Sequence, residues 1–97
     1  MGTTDEGGLI LVDAMNTYDP ALATLQERGY RVWVRPVGEV DEGEEWLARK
    51  DVNELVASDP LRLLGLAAIL ETRGVNWQLA EDEPDLYDAL RAEAYDT

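Results

Sequence analysis

Trp46-Leu47-Ala48-Arg49-Lys50-Asp51-Val52-Asn53-Glu54-Leu55-Val56-Ala57 is the stretch that decides the fold. It holds two short β-like runs, Trp46–Arg49 and Glu54–Ala57. Setting Ala48 opposite Leu55 also sets Arg49 opposite Glu54 and Trp46 opposite Ala57. These are sound cross-strand partners, and they point alternately to the two faces of a sheet. The connection contains no glycine, and β-branched Val52 resists positive φ. A four-residue turn over Lys50-Asp51-Val52-Asn53 is therefore expected in preference to a two-residue primed turn.

Upstream, Arg31-Val32-Trp33-Val34-Arg35 alternates with period two. Val32 and Val34 share one face; Arg31, Trp33 and Arg35 share the other. Pro36 closes the run or marks an edge. With the two runs above, this makes three consecutive strands, an antiparallel meander. Further upstream, the continuous apolar run Leu9-Ile10-Leu11-Val12 reads as a strand buried on both faces. Between it and Arg31, Asp19-Pro20 opens a helix that stops at Arg28-Gly29, with Asp19 as its cap. Strand, helix and strand then form a parallel unit with a right-handed crossover.

Downstream, Asp59-Pro60 opens a second helix, running from Leu61 to Arg73 and stopping at Gly74. Its apolar residues (Leu61, Leu63, Leu64, Leu66, Ala67, Ala68, Ile69, Leu70) cover nearly the whole circumference, the mark of a helix buried on most sides. Gly65 within it argues for a close backbone approach. Val75-Asn76-Trp77-Gln78-Leu79 is an extended connector whose Trp77 covers the core edge. A last helix, from Pro84 to Tyr95, carries Leu86, Leu90 and Ala94 on one stripe.

The expected fold class is α/β (α+β): a small mixed sheet of about four strands, a strand–helix–three-strand meander with two to three helices, in the order β-α-β-β-β-α-α. Residues 1–8 read as a flexible tail and 9–97 as a single domain. Helix, three strands, helix is also the order seen in double-stranded RNA-binding domains. The basic helix start with which those domains grip phosphate reads here Asp59-Pro60-Leu61-Arg62, so the likeness is one of element order and implies no function.

Composition narrows the chemistry. The chain has 97 residues, no histidine, no cysteine and a formal net charge of −13. Disulfides and a thiolate zinc site are ruled out. Ser58 is the single serine, and a Ser-His-Asp arrangement has no histidine to use. Residues 1–38 carry a net −2 and residues 39–97 a net −11. Nucleic acid and anionic membranes need basic surface, so neither is an expected partner. A basic protein surface is the expected one, because opposite fields speed encounter. The plainer alternative is solubility or adaptation to salt. No apolar run is long enough to span a membrane. Met1–Glu6 has neither a basic leader nor an apolar core, so a cytoplasmic location is expected.

The candidate partner-binding residues are the acids of one loop, Glu39, Asp41, Glu42, Glu44 and Glu45, and those of a second cluster, Asp82, Glu83 and Asp85. Trp33, set between Arg31 and Arg35, is a candidate interface anchor; the alternative is a ring covered by the last helix and stacked by the arginines. The alternative chemistry centres on Asp13. Val12-Asp13-Ala14-Met15-Asn16 resembles the first motif of PIN-like metal-dependent nucleases, which gather carboxylates around magnesium and hydrolyse without histidine. That resemblance implies a metal site at Asp13, Asn16 and Asp19. The plainer reading has Asp13 capping the turn after a strand. A third reading is homo-oligomerisation through the apolar helix 61–70. The expected function is a non-enzymatic acidic domain that binds a basic protein and needs no cofactor. Immunity proteins, antitoxins and nucleic-acid mimics are small acidic domains comparable in composition.

Overall fold

A computed structural model describes residues 8–39 and 42–95. Among these lie helix α1 (Tyr18–Glu27), strands β1 (Arg31–Pro36), β2 (Glu44–Lys50) and β3 (Asn53–Ala57), and helices α2 (Pro60–Arg73) and α3 (Leu86–Ala94). Short 3₁₀ turns, Met15–Thr17 and Gly74–Asn76, precede α1 and follow α2. The chain is mixed α/β, with a three-stranded antiparallel sheet in the order β1-β2-β3.

The β2–β3 register pairs Ala48 with Leu55, Arg49 with Glu54 and Trp46 with Ala57. β1 joins on the other side, with Val32 opposite Ala48 and Trp33 opposite Leu47. Alternation then sorts the two faces. Tyr30, Val32, Trp46, Ala48, Leu55 and Ala57 face the helices and enclose the core with Leu25 of α1 and Leu63 and Ala67 of α2. Trp33, Leu47 and Val56 lie in a row on the opposite face, where Leu47 is buried. α1 lies over β1 and α2 over β3, and the two helices touch along their length.

Local chemistry places the helix ends. The Asp59 side chain accepts a hydrogen bond from the Arg62 amide at 2.8 Å, and Pro60 occupies the first turn of α2. Gly29 and Gly74 end their helices at φ +94° and +76°, in the region that glycine enters without a Cβ clash.

Several expectations are corrected. The fourth strand is not confirmed. Leu9–Val12 is irregular, and Ile10 is 85% exposed. Leu11 and Val12 border a cleft with Leu61 and Leu64, so the segment comes up against the helix layer and no parallel unit forms. Asp13 therefore follows no strand. Asp19 sits in the first turn of α1 and is not its cap; the 3₁₀ turn starts the helix earlier, and Thr17 Oγ1 donates to the Ala14 carbonyl. The β2–β3 connection is only Asp51-Val52, because pairing continues to Lys50 and Asn53. Asp51 takes φ +58°, a conformation Asp tolerates and Val does not, so Val52 is spared it. α2 is not buried all round: Leu63 and Ala67 are buried, while Leu66 and Ile69 are 36% and 42% exposed. Nothing approaches Gly65.

Candidate functional site

Chain topology gives the sheet two unlike ends. β1 finishes, β2 starts and β3 finishes at the same end, since neighbours in the sheet are antiparallel. α2 begins directly beyond β3 and therefore starts there too. Pro20 and Ala21 border one cleft with Leu61 and Leu64, which brings the start of α1 to the same place. α2 then runs 14 residues, about 20 Å at 1.5 Å per residue. At the far end an Arg28–Glu71 ion pair of 2.5 Å ties α1 to α2.

The near end gathers most of the first acidic cluster. Glu39 and Glu42 are exposed in the β1–β2 connection, which closes through hydrogen bonds from the Glu42 amide to the Glu39 carbonyl and from Val37 to Gly43, each 3.0 Å. Glu44 opens β2 and is exposed. Glu45 is half-buried and bound by Arg35 at 3.0 Å. Asp41 lies outside the described residues. Asp13 and Asp19, both exposed, and Asp59 belong to this end as well. Its two guanidiniums are already engaged, Arg35 by Glu45 and Arg62 by Asp59 at 3.2 Å. Arg28, Arg31, Arg49, Lys50 and Arg73 all sit at the other end, by strand register and by the helix pair. Among the described residues of α1, α2 and the sheet, the near end therefore combines exposed carboxylates with no cation outside an ion pair.

Asp82, Glu83 and Asp85 are not brought together with the loop acids. The Arg73 guanidinium donates to Glu83 at 2.6 Å and the Ala80 amide donates at 2.7 Å, which anchors their segment to the C-terminus of α2. The Ala80 amide first, then Arg73, holds the Glu83 carboxyl below the usual carboxylate range. Glu83 is thus a structural tie, and Asp82 and Asp85 stand exposed beside it. Trp33 is half-buried on the sheet face away from the helices, with the Arg31 guanidinium 4.6 Å from its ring centroid. α3 makes no extensive contact with the sheet.

Two of the three residues to which the nuclease resemblance points lie together. Asp13 and Asn16 border the same cleft of about 540 Å³ beside α1 and α2, but Asp19 does not. Among the described residues no three carboxylates come together as metal ligands. No helix among them is long and apolar enough to cross a membrane.

Sequence reasoning missed two things. Asp13 and Asp19 join the acidic end because α1 and α2 start side by side, which needs the tertiary arrangement. Leu66, Ile69 and Trp77 border a groove of about 290 Å³ between α2 and β3. Its signal was present in the sequence: a helix apolar on all sides in a chain too short to cover every side.

Compared with family models, with curated proteins and with solved structures, the chain matches none.

Proposed function

We propose that this chain is a non-enzymatic binding domain that presents its acidic end to a basic protein surface. The observation that supports the reading is the separation of charge: exposed Glu39, Glu42, Glu44, Asp13 and Asp19 share an end where, among the described residues of α1, α2 and the sheet, the guanidiniums of Arg35 and Arg62 are already in ion pairs. A one-sign field of this kind steers an oppositely charged partner and raises the association rate. Immunity proteins, antitoxins and nucleic-acid mimics share the composition, and neutralising a basic partner is the role that analogy favours. The test is stopped-flow association with a fluorescein-labelled lysine homopolymer over a salt series. The rate is expected to fall steeply as salt rises, because exposed charges are screened beyond about 8 Å at physiological ionic strength. A rate unchanged by salt contradicts the reading.

A further inference from the structure

We infer that α3 is an exchange arm: in a two-fold symmetric dimer, α3 of each copy lies on the open sheet face of the other. Two surfaces of this chain are left without cover, and they complement each other. The first is the sheet face turned away from α1 and α2. Its central row is Trp33, Leu47 and Val56, with Leu47 buried, Trp33 half-buried and Val56 44% exposed. The second is α3 itself, which packs extensively against no other element. Leu86 and Leu90 are 60% and 58% exposed, and with Ala94 they form one stripe at 3.6 residues per turn. The nine residues of α3 make a helix about 13 Å long. Three strands about 4.8 Å apart make a face about 10 Å across, so one such helix spans the row.

Charge selects the seat. By register, the rows flanking the apolar one are Arg31, Arg49 and Glu54 on one side and Arg35 and Glu45 on the other. Arg35 is engaged by Glu45. Arg31 stacks on Trp33, and neither it nor Arg49 is in an ion pair among the described residues. Lys50 points to the other face, where it donates to the Arg28 carbonyl. The open face thus has one positive charge in excess, in a chain of net −13. α3 has the opposite sign. Glu93 lies at the edge of the Leu86–Leu90 stripe, Asp85 caps the helix start and Asp88 is on the far side, while Arg91 lies within 5.6 Å of the Tyr87 and Tyr95 rings. With the stripe on Trp33, Leu47 and Val56, Glu93 comes to the side of a flanking arginine.

The occupant is a second copy because the match is not made within one chain. Glu83 accepts from Arg73 and from the Ala80 amide, which pins the segment before α3 to the C-terminus of α2, on the helix side of the sheet. α3 is thereby held off its own sheet. Reciprocal exchange covers both sheet faces and both helices at once, and a two-fold axis closes the assembly. Exposed Glu39, Glu42 and Glu44 take no part, so the inference is independent of the acidic end.

The experiment is sedimentation of the full chain over a concentration series, with Leu90→Glu as the arm variant and Val56→Glu as the face variant. The wild type is expected to dimerise. Each substitution is met twice in the symmetric dimer, so each should weaken association about a hundredfold. α3 supports no other element and Val56 is partly exposed on an edge strand, so both folds should persist; Arg49→Glu, at an exposed site, is a second face variant. Mixing the arm variant with a face variant should restore dimer, because one intact arm then meets one intact face. Two copies of net −13 repel at a distance, so rising salt should tighten the dimer, whereas it weakens association with the lysine homopolymer. The two readings therefore fail separately. A monomer at every concentration overturns the inference, as do variants that dimerise like the wild type or a mixture that restores nothing. So do a dimer loosened by salt, which would be held by the acidic end, amide shifts on dilution confined to Leu66 and Ile69, and a concentration-independent contact of Leu90 with Val56, which would seat α3 on its own sheet.

Discussion

Gly65 and Leu63 are two positions apart on α2 and carry opposite expectations. Nothing lies near a Cβ built on Gly65, so Gly65→Ala should stabilise the chain by about 0.5–1 kcal/mol through helix propensity alone. Leu63 is fully buried in the core, and Leu63→Ala should cost about 2–5 kcal/mol, a large share of a small domain's stability. Chemical denaturation of the two variants checks both signs. Tyr30 gives a pH dependence. Burial, and then the neighbouring Glu71 carboxylate, raise its hydroxyl above the ordinary 10.0. A raised folded-state value contributes stability that is complete below pH 10 and is lost as pH rises through the folded-state value. Alkaline denaturation should therefore be shallower in Tyr30→Phe, and a tyrosinate absorbance titration of the wild type should show one late hydroxyl. Side-chain logic at this scale was readable where it was local. Arg49 opposite Glu54 and Trp46 opposite Ala57 followed from pairing chemistry. The Asp51-Val52 turn did not: Val52 resists positive φ, and Asp51 takes it in its place.

At the scale of elements, period located the meander and the three helices, and capping chemistry placed the start of α2. They failed where a pattern fits more than one environment. A continuous apolar run such as Leu9–Val12 suits a buried strand, yet a four-residue parallel pairing offers few ladder bonds, and the run stays exposed with only Leu11 and Val12 bordering the helices. The apolar circumference of α2 showed what the helix could bury but not how much partner surface exists. One ten-residue helix and three strands cover only part of it, which leaves the Leu66–Ile69 ridge open. The segment after α2 is set by Glu83, which ties Ala80 and Arg73 together. Glu83→Gln should speed hydrogen exchange at the Ala80 amide and leave exchange in β2 unchanged. Equal exchange at Ala80 in both proteins would remove the tie. Lowering the pH should loosen the same contact, since a depressed carboxyl value gives stability present above the unfolded-state value and lost as pH falls through the folded-state one.

For the whole molecule, net charge was legible but its arrangement was not. The sequence treats loop 39–45 and cluster 81–85 alike. The chain path separates them, because antiparallel strands and a helix crossing the sheet send them to opposite ends. The arginines sort with them, five of the eight basic residues falling at the end away from the hairpin. The direct test compares two variants of equal net charge in lysine-homopolymer binding: Glu39, Glu42 and Glu44 replaced by Gln, and Glu81→Gln with Asp82→Asn and Asp85→Asn. The hairpin variant should lose more affinity and show the flatter salt dependence. Equal losses in the two would mean that only total charge matters and that the acidic end is no recognition surface.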